Sequence, residues 1–578
     1  MVPHMAKPAL SPEKKPDSTP SPKKKAKPGF VSEAIEKVRS HDVVFAVTGY
    51  LGSGMTDVSK KLEALLQREP GTVSLVKVSN LLTEEANKRN QPIPENTKLQ
   101  RTRALQQFGD ALRTDHGTDV VAGLVIREIA GQCKAPGKTA GRRIFVIDCL
   151  KHPDEVKALQ LVYGPSFFLV SSICDYETRL SRLRKKFDGE SDPSIAKIMD
   201  DDAEEEAGSG QKVRKTIPLA DYFVNQHRPG DQTSTPTVDE QLRRLLDLVL
   251  GTEVQRPNHD ERGMYAAWGA AMRSACLSRQ VGAAILNPQG IVIATGTNDV
   301  PAPGGGIYGN ESEPDSRCFL SMHKEPGRSI AERQRRNIQL RILGKDEDPS
   351  KGEARPFCRS DFTKDAIWQV VSTKLNEALS QQKNDGAAGA SGASTADAGK
   401  RFTKEDVQRI LDSTPIKDLV EFSRAIHAEA DAIVSLARAG GPSCHRASLY
   451  VNVYPCHLCT RQIIAAGIAE VVYIEPYPKS LATILHDDAI FDPEAKSSPA
   501  KDEKRIKFRL FSGVAPRRYV DLFEKHENLK QVGTLSKDRK RPLDPLFQQS
   551  HIELQATIAK EVTSVLEKQP DDAGKEET

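Results

Sequence analysis

Four side chains in the C-terminal half have the types and spacing to run metal chemistry: His427 and Glu429, then Cys456 and Cys459 in Pro455-Cys-His-Leu-Cys459. Two thiolates at C-x-x-C spacing near a helix start can hold one Zn²⁺. Alone, that pair reads equally as a redox couple or as half of a closed structural site. No second C-x-x-C and no H-x-x-x-H stands nearby to complete four ligands, whereas His427 offers a single third one. Three protein ligands leave a position for water, the arrangement of catalytic rather than structural zinc. Glu429 follows His427 by two residues, which in mid-helix would turn the side chains apart. In a first turn both can point past the helix end, so a helix beginning at about His427 is predicted, with the carboxylate beside the metal water as a proton shuttle.

A second constellation lies near the N-terminus. Gly49-Tyr-Leu-Gly-Ser-Gly-Met-Thr56 fits G-x-x-x-x-G-K-[ST] except that Met55 stands where the lysine should be. The backbone amides around Gly49, Gly52, Ser53, Gly54 and Met55 can cradle phosphate, and Thr56 can touch Mg²⁺. What is missing is the ammonium that neutralises the outer phosphates. The stretch reads also as a plain tight turn. A third set, Cys318, His323 and Cys358, is a candidate second zinc site, or else unrelated thiols and a surface histidine.

The elements that must position these groups follow from the apolar patterning. Asp42–Val47, Arg143–Ile147, Phe167–Val170 and Ala220–Asn225 read as strands, with a helix carrying Val58, Leu62, Leu65 and Leu66 after the Gly-rich loop. Strands alternating with helices predict a doubly wound parallel sheet over residues 40–250. Its polar stretch from about 186 to 213 is expected to be a mobile loop or lid. A helix Gly263–Leu277, a hairpin Gly282–Leu286 and Ile291–Thr295, the helix with His427, strands Leu449–Tyr454 and Val471–Ile474, and a helix Cys456–Ala466 predict an α/β/α layer domain over 260–535. An insertion at about 301–420 includes the low-complexity Asp385–Ser394. Residues 1–28 and 563–578 are expected to be disordered by composition.

With 578 residues, two or three domains are expected. The charge of +4 is the small excess of 83 basic over 79 acidic residues, and part of it sits in the first 28 residues, so it says little about nucleic-acid binding. Aromatics are only 5% and no basic stripe with aromatics is visible, which ranks a polynucleotide substrate well below a free small molecule. Nine cysteines without framework spacing suggest free or metal-binding thiols in a reducing, cytoplasmic compartment. No apolar run of membrane-spanning length is present.

His427-Ala-Glu429 with Pro455-Cys-His-Leu-Cys459 resembles the H-x-E…P-C-x-x-C signature of zinc nucleotide deaminases. Cys276 with Arg279, Val281-Gly-Ala283 and Ala294-Thr-Gly-Thr-Asn298 is similar to the deoxycytidylate deaminase branch, with Thr297 where a tyrosine is usual and Asp431 where an asparagine is frequent. The resemblance implies hydrolysis of cytosine at C4 with Zn²⁺ on His427, Cys456 and Cys459, and Glu429 carrying protons. It implies Asn298 at the deoxyribose and Arg279 at the substrate. Tyr454 is placed to lie against the base, or else in the core.

The N-terminal half resembles nucleoside-monophosphate kinases through the loop, Asp148 at a strand end, and Arg179, Arg182 and Arg184 where lid arginines stand. The combination resembles bacterial anti-phage deaminases of the DcdV type, which convert dCTP and dCMP. That likeness implies a homo-oligomer whose N-terminal module responds to a regulatory nucleotide or RNA. A nucleotide-sensing protein with an ancillary deaminase is the alternative from another class.

Overall fold

The computed structural model describes residues 42–134, 143–203, 210–226, 236–311, 317, 369–377, 406, 409–410, 423–477, 480–493, 504–524, 530–531, 534–535 and 548–567. The N-terminal basic segment, Cys318, His323, Cys358 and the low-complexity part of the insertion lie outside them.

Two six-stranded sheets carry the described chain. The first starts with β1 (Val43–Gly49), every residue of which is buried, followed by helix α1 (Met55–Leu66). β2 (Thr72–Lys77) is the half-exposed edge, so its Thr-Val-Ser-Leu-Val-Lys shows no long apolar run and escapes a reading by apolar runs. Helix α2 (Val120–Lys134) leads to β3 (Arg143–Leu150), then come β4 (Phe167–Ile173), α3 (Tyr176–Lys186), α4 (Asp192–Ala203), β5 (Tyr222–Asn225) and α5 (Val238–Leu250). These five strands are all parallel in the order β2-β3-β1-β4-β5, so their C-terminal ends, and the loops leaving them, share one edge. The stretch expected to be a polar lid is partly helical. Ile195, Ile198 and Met199 on α4 fall on one helix face and bury against Leu51, Leu183 and Phe187.

The second sheet is introduced by α6 (His259–Ala271) and contains β6 (Gly282–Leu286) and β7 (Val292–Thr297) in an antiparallel hairpin. After α7 (Ala428–Arg438) come β8 (Ser448–Val453), α8 (His457–Ala465), β9 (Glu470–Glu475), β10 (Ile490–Phe491) and β11 (Ile506–Leu510), giving the order β7-β6-β8-β9-β11-β10. β8, β9, β11 and β10 are parallel neighbours, while β6 is antiparallel to both of its own. Two glycines let helices lie directly on the hairpin. A Cβ at Gly282 would stand 2.0 Å from the Ala267 carbonyl oxygen of α6, and one at Gly296 would stand 2.1 Å from the Ala428 carbonyl oxygen of α7.

The chain then returns to the first sheet. β12 (Gly513–Val514) pairs antiparallel with β5, Gly513 against Phe223 and Val514 against Tyr222, although the sequence places it inside the 260–535 segment. Glu261 of α6 locks this crossing: its carboxylate accepts both Arg244 Nη groups of α5 at 2.7 Å and the amides of Asn258 and Val514 at 2.8 and 2.9 Å. Helix α9 (Gln548–Glu567) lies on α2, with Val562 so close to Gly123 that a Cβ there would meet its Cγ2 at 2.6 Å. Residues 563–567, expected to begin a disordered tail, therefore finish a helix, because that tail's first turn still has an apolar face to cover. No helix among the described residues is long and apolar enough to cross a membrane.

Candidate metal centre and phosphate loop

Two helix starts converge on the metal centre. His427 is the residue before the first turn of α7, with Glu429 inside that turn, as the His-x-Glu spacing requires. Cys456 holds the corresponding position on α8, with Pro455 just outside it and Cys459 in the first turn. Helix N-termini carry partial positive charge, which favours thiolates and a carboxylate at this point. His427 Nδ1 lies 3.3 Å from Cys456 Sγ and 3.4 Å from Cys459 Sγ.

The ligand atoms of these three residues all lie within 4.8 Å of one another, and among the described residues they form the one such cluster. One imidazole nitrogen and two sulfurs in so small a space fit Zn²⁺. The thiols share charge unevenly: the hydrogen bond with Cys459, and then His427, holds Cys456 below the ordinary thiol value, while the Cys456 sulfur and burial push Cys459 up. Contact with Cys456 raises His427 to about 8. Glu429 is 4% exposed and lies against the Cys459 thiol; burial raises its carboxyl above the usual range, with His427 opposing.

The expected substrate residues have their side chains already engaged with other parts of the protein. Asn298 accepts the Val281 amide at 2.6 Å and donates to the Arg279 carbonyl at 2.8 Å, which ties the end of β7 to the segment before β6. Arg279 pairs with Glu475 at the end of β9. Tyr454 is buried, edge-on to Tyr473 with ring centroids 4.8 Å apart and beside Phe508. Thr297 donates to the Ala270 carbonyl at 2.8 Å, and Asp431 accepts the Thr297 amide at 2.9 Å. The two departures from the resembled pattern are thus joined to each other, and Asp431 helps to hold α7 against β7.

At the phosphate loop the structure brings together residues the sequence reading took separately. Gly52 and Gly54 take positive φ values of 84° and 88°, backbone that favours glycine. Thr56 and Ser59 donate to the Asp148 carboxylate at 3.4 and 3.2 Å, which sets two hydroxyls and an acid together at the start of α1. Met55 turns inward, packing in the core with Phe45, Val58 and Leu62, so its side chain contributes nothing to ligand binding. Arg182 donates to the Gly52 carbonyl at 3.4 Å, and the Arg179 guanidinium lies 4.7 Å from the Tyr50 ring centre. Arg184, by contrast, is turned away and paired with Asp192 on the surface.

Residues 369–475, which include the whole His-Glu-Cys-Cys set, match the family described as the cytidine and deoxycytidylate deaminase zinc-binding region. This part of the chain is similar to a deaminase zinc-binding region. A deoxycytidylate deaminase of Enterobacteria phage T2 is 44% identical over 55 residues, 10% of this chain and 29% of that protein. The chain thus spans between about a quarter and a half of the length of the curated relatives it matches, from 28% to 50%. Among solved structures, the dCMP deaminase of cyanophage S-TIM5 matches at 12% identity over 44% of this chain and 100% of that one, with a TM-score of 0.19. A shikimate kinase from Bacteroides thetaiotaomicron matches at 14% identity over 36% and 97%, with a TM-score of 0.21.

Around the deaminase region, sequence reasoning missed a cavity of about 250 Å³ between the two sheets. Its walls include Tyr50 of the phosphate loop, Arg179 of α3, Met199 and Asp200 of α4, and Tyr454 and Asp492 from the metal-centre side. Tyr50 in the Gly-rich loop, Arg179 among the lid arginines and Tyr454 two residues before Cys456 each carried a local signal, but nothing in the sequence showed that they share one space.

Proposed function

We propose that the protein is a zinc-dependent hydrolase that converts deoxycytidine nucleotides, dCTP as well as dCMP, to the deoxyuridine nucleotides and ammonia. The observation that carries this reading is the buried Glu429 in the first turn of α7 beside the His427, Cys456 and Cys459 cluster. A closed structural site has no use for such a carboxylate. Zn²⁺ on these three ligands would supply Lewis acidity that brings the pKa of a water near neutrality.

The chain's own residues do the rest. Glu429 takes a proton from the attacking water as its oxygen bonds to C4 and delivers it to N3; it then takes the proton of the new C4 hydroxyl and passes it to the amine, so that ammonia leaves as the C4–N bond breaks and the C4 carbonyl forms. Its raised carboxyl pKa suits a group that must both accept and return a proton. Asn298, Arg279 and Tyr454 would shape the wall that receives sugar, phosphate and base.

The N-terminal half acts as the regulator, through a nucleotide with Mg²⁺ at Gly49–Thr56. The cavity supports this reading, since Tyr50 and Tyr454 line the same space and Tyr454 stands next to the ligand-bearing loop. By its resemblance, the protein works in the cytoplasm as a homo-oligomer that depletes dCTP during phage infection.

The test incubates zinc-loaded protein with dCMP, dCTP, CMP, CTP, cytidine and a cytosine-containing single strand, following ammonia release and base identity, with E429A alongside. Conversion of the deoxynucleotides alone, silent in the variant, is the expected result. Conversion of the single strand instead would overturn the substrate class.

A further inference from the structure

The ammonium that Met55 removes from the phosphate loop returns from another part of the fold. Lys151 is the first residue after β3, three positions beyond Asp148. It is 8% exposed, and its Nζ lies 3.0 Å from the carbonyl oxygen of Gly49, where the loop begins. Because β1 and β3 are parallel neighbours, the end of β3 comes out beside the loop that leaves β1. A lysine there can do from the side what a lysine at position 55 would do from the helix.

The partner of this lysine is the second observation. Asp202, at the end of α4 and 1% exposed, places Oδ1 2.8 Å from Lys151 Nζ. Its other oxygen, Oδ2, accepts the backbone amide of Leu51 at 2.7 Å. A carboxylate thus receives one amide of the Gly-rich loop and one ammonium, the donors such a loop offers to phosphate oxygens. Ser53 points to a ligand as well. Its Oγ is fully buried with no hydrogen-bond partner, a cost that folding seldom leaves uncompensated. At the loop's C-terminal end Thr56 meets the Asp148 carboxylate, the pair that would take Mg²⁺ on the nucleotide-binding reading.

We propose that Gly49–Thr56 with Lys151 as its cation binds the polyphosphate of a Mg²⁺-nucleoside triphosphate, and that Asp202 holds the site shut by occupying the place of an outer phosphate. This rests on the nucleotide-binding reading of the loop and adds to it both the missing cation and the group that must leave. Opening has a structural consequence. α4 carries Asp202 on one side and, through Met199, Asp200 and Ala203, lines the cavity shared with Tyr454. Nucleotide entry would therefore withdraw α4 and alter the wall beside the metal centre.

The experiment measures direct binding by calorimetry, which does not depend on turnover. Each of the eight common ribo- and deoxyribonucleoside triphosphates with Mg²⁺, and inorganic triphosphate, is titrated into full-length wild type, D202N, K151M and the double variant K151M/D202N. Asp202→Asn keeps the shape and an acceptor for Leu51 but removes the competing charge. It should tighten binding of at least one nucleotide by about tenfold or more, since the open state is no longer taxed by closure. The double variant should lose that gain. Because K151M/D202N removes both charges together, it leaves no buried ion unpaired, and zinc content and thermal midpoint report whether each variant is folded.

Equal affinities for wild type and D202N would overturn Asp202 as the closing group while leaving the loop a nucleotide site. Undiminished binding by K151M/D202N relative to D202N would overturn Lys151 as its cation. No binding by any folded variant would overturn the nucleotide-binding reading itself.

Discussion

Gly296→Ala is the sharpest perturbation the structure offers, because it acts on the metal centre without touching a ligand. The methyl group would start 2.1 Å from the Ala428 carbonyl oxygen and 2.3 Å from the Ala432 amide nitrogen, both backbone atoms of α7. Ordinary contact begins at 3.4 Å, so α7 has to retreat by roughly 1 Å, since a close-packed core offers nothing else to give. Ala428 lies between His427 and Glu429, so the proposed ligand and the proposed proton carrier move with it. A misplacement of about 1 Å costs on the order of 100-fold in rate, or about 2.7 kcal/mol of barrier. Overpacking costs a further ~1–3 kcal/mol of stability.

The assay is the initial rate of ammonia release from dCMP at saturating and limiting substrate, with zinc per chain and thermal midpoint for each protein. Gly269→Ala on α6 is the control, having nothing within 4 Å of its added methyl, and it should leave rate and zinc content unchanged and the thermal midpoint unchanged or slightly raised. If G296A turned over within twofold of wild type and melted at the same temperature, the close approach of α7 would not be what places His427 and Glu429.

Four other outcomes follow from the same contacts. Glu429→Gln should retain zinc, measured by mass spectrometry, while turnover falls by about 10²–10⁴; a loss under tenfold would remove it from the proton path. Cys459→Ser should lose zinc and turnover together, and the wild type treated with chelator should recover activity on adding Zn²⁺. Glu261→Ala strands Arg244 and the Val514 amide at the crossing of the two sheets and should cost about 3–5 kcal/mol in urea unfolding; a cost below 1 kcal/mol would mean that water replaces the carboxylate. Ending the chain at residue 547 uncovers the Gly123 face of α2 and should expose the first sheet's helices to protease before those of the second.

The metal centre was legible in the sequence because its geometry is local. A His-x-Glu pair can converge only at a helix start, and Cys-x-x-Cys likewise, so spacing carried the prediction that α7 begins at His427. The buried strands β1, β3 and β4 were legible for a similar reason, since strands covered on both faces must be apolar throughout. β2 was not, because an edge strand may be half polar. Gly513–Val514 is too short to carry any pattern, and its partner β5 lies far away in sequence. Asp202 sat in an acidic run that reads as a solvated loop, and only folding α4 onto Leu51 and Phe187 shows one of those acids turned inward.

Residue types and spacings thus determined which atoms could meet a metal and which loop could meet a phosphate, because one helical turn decides both. Tertiary structure decided how those pieces are joined. It set Lys151 and Asp202 at the phosphate loop, sent β12 back to the first sheet, and laid α9 on α2. The physical reason is that parallel strands bring distant loops to one edge, and buried charges persist only where a partner from elsewhere in the chain meets them.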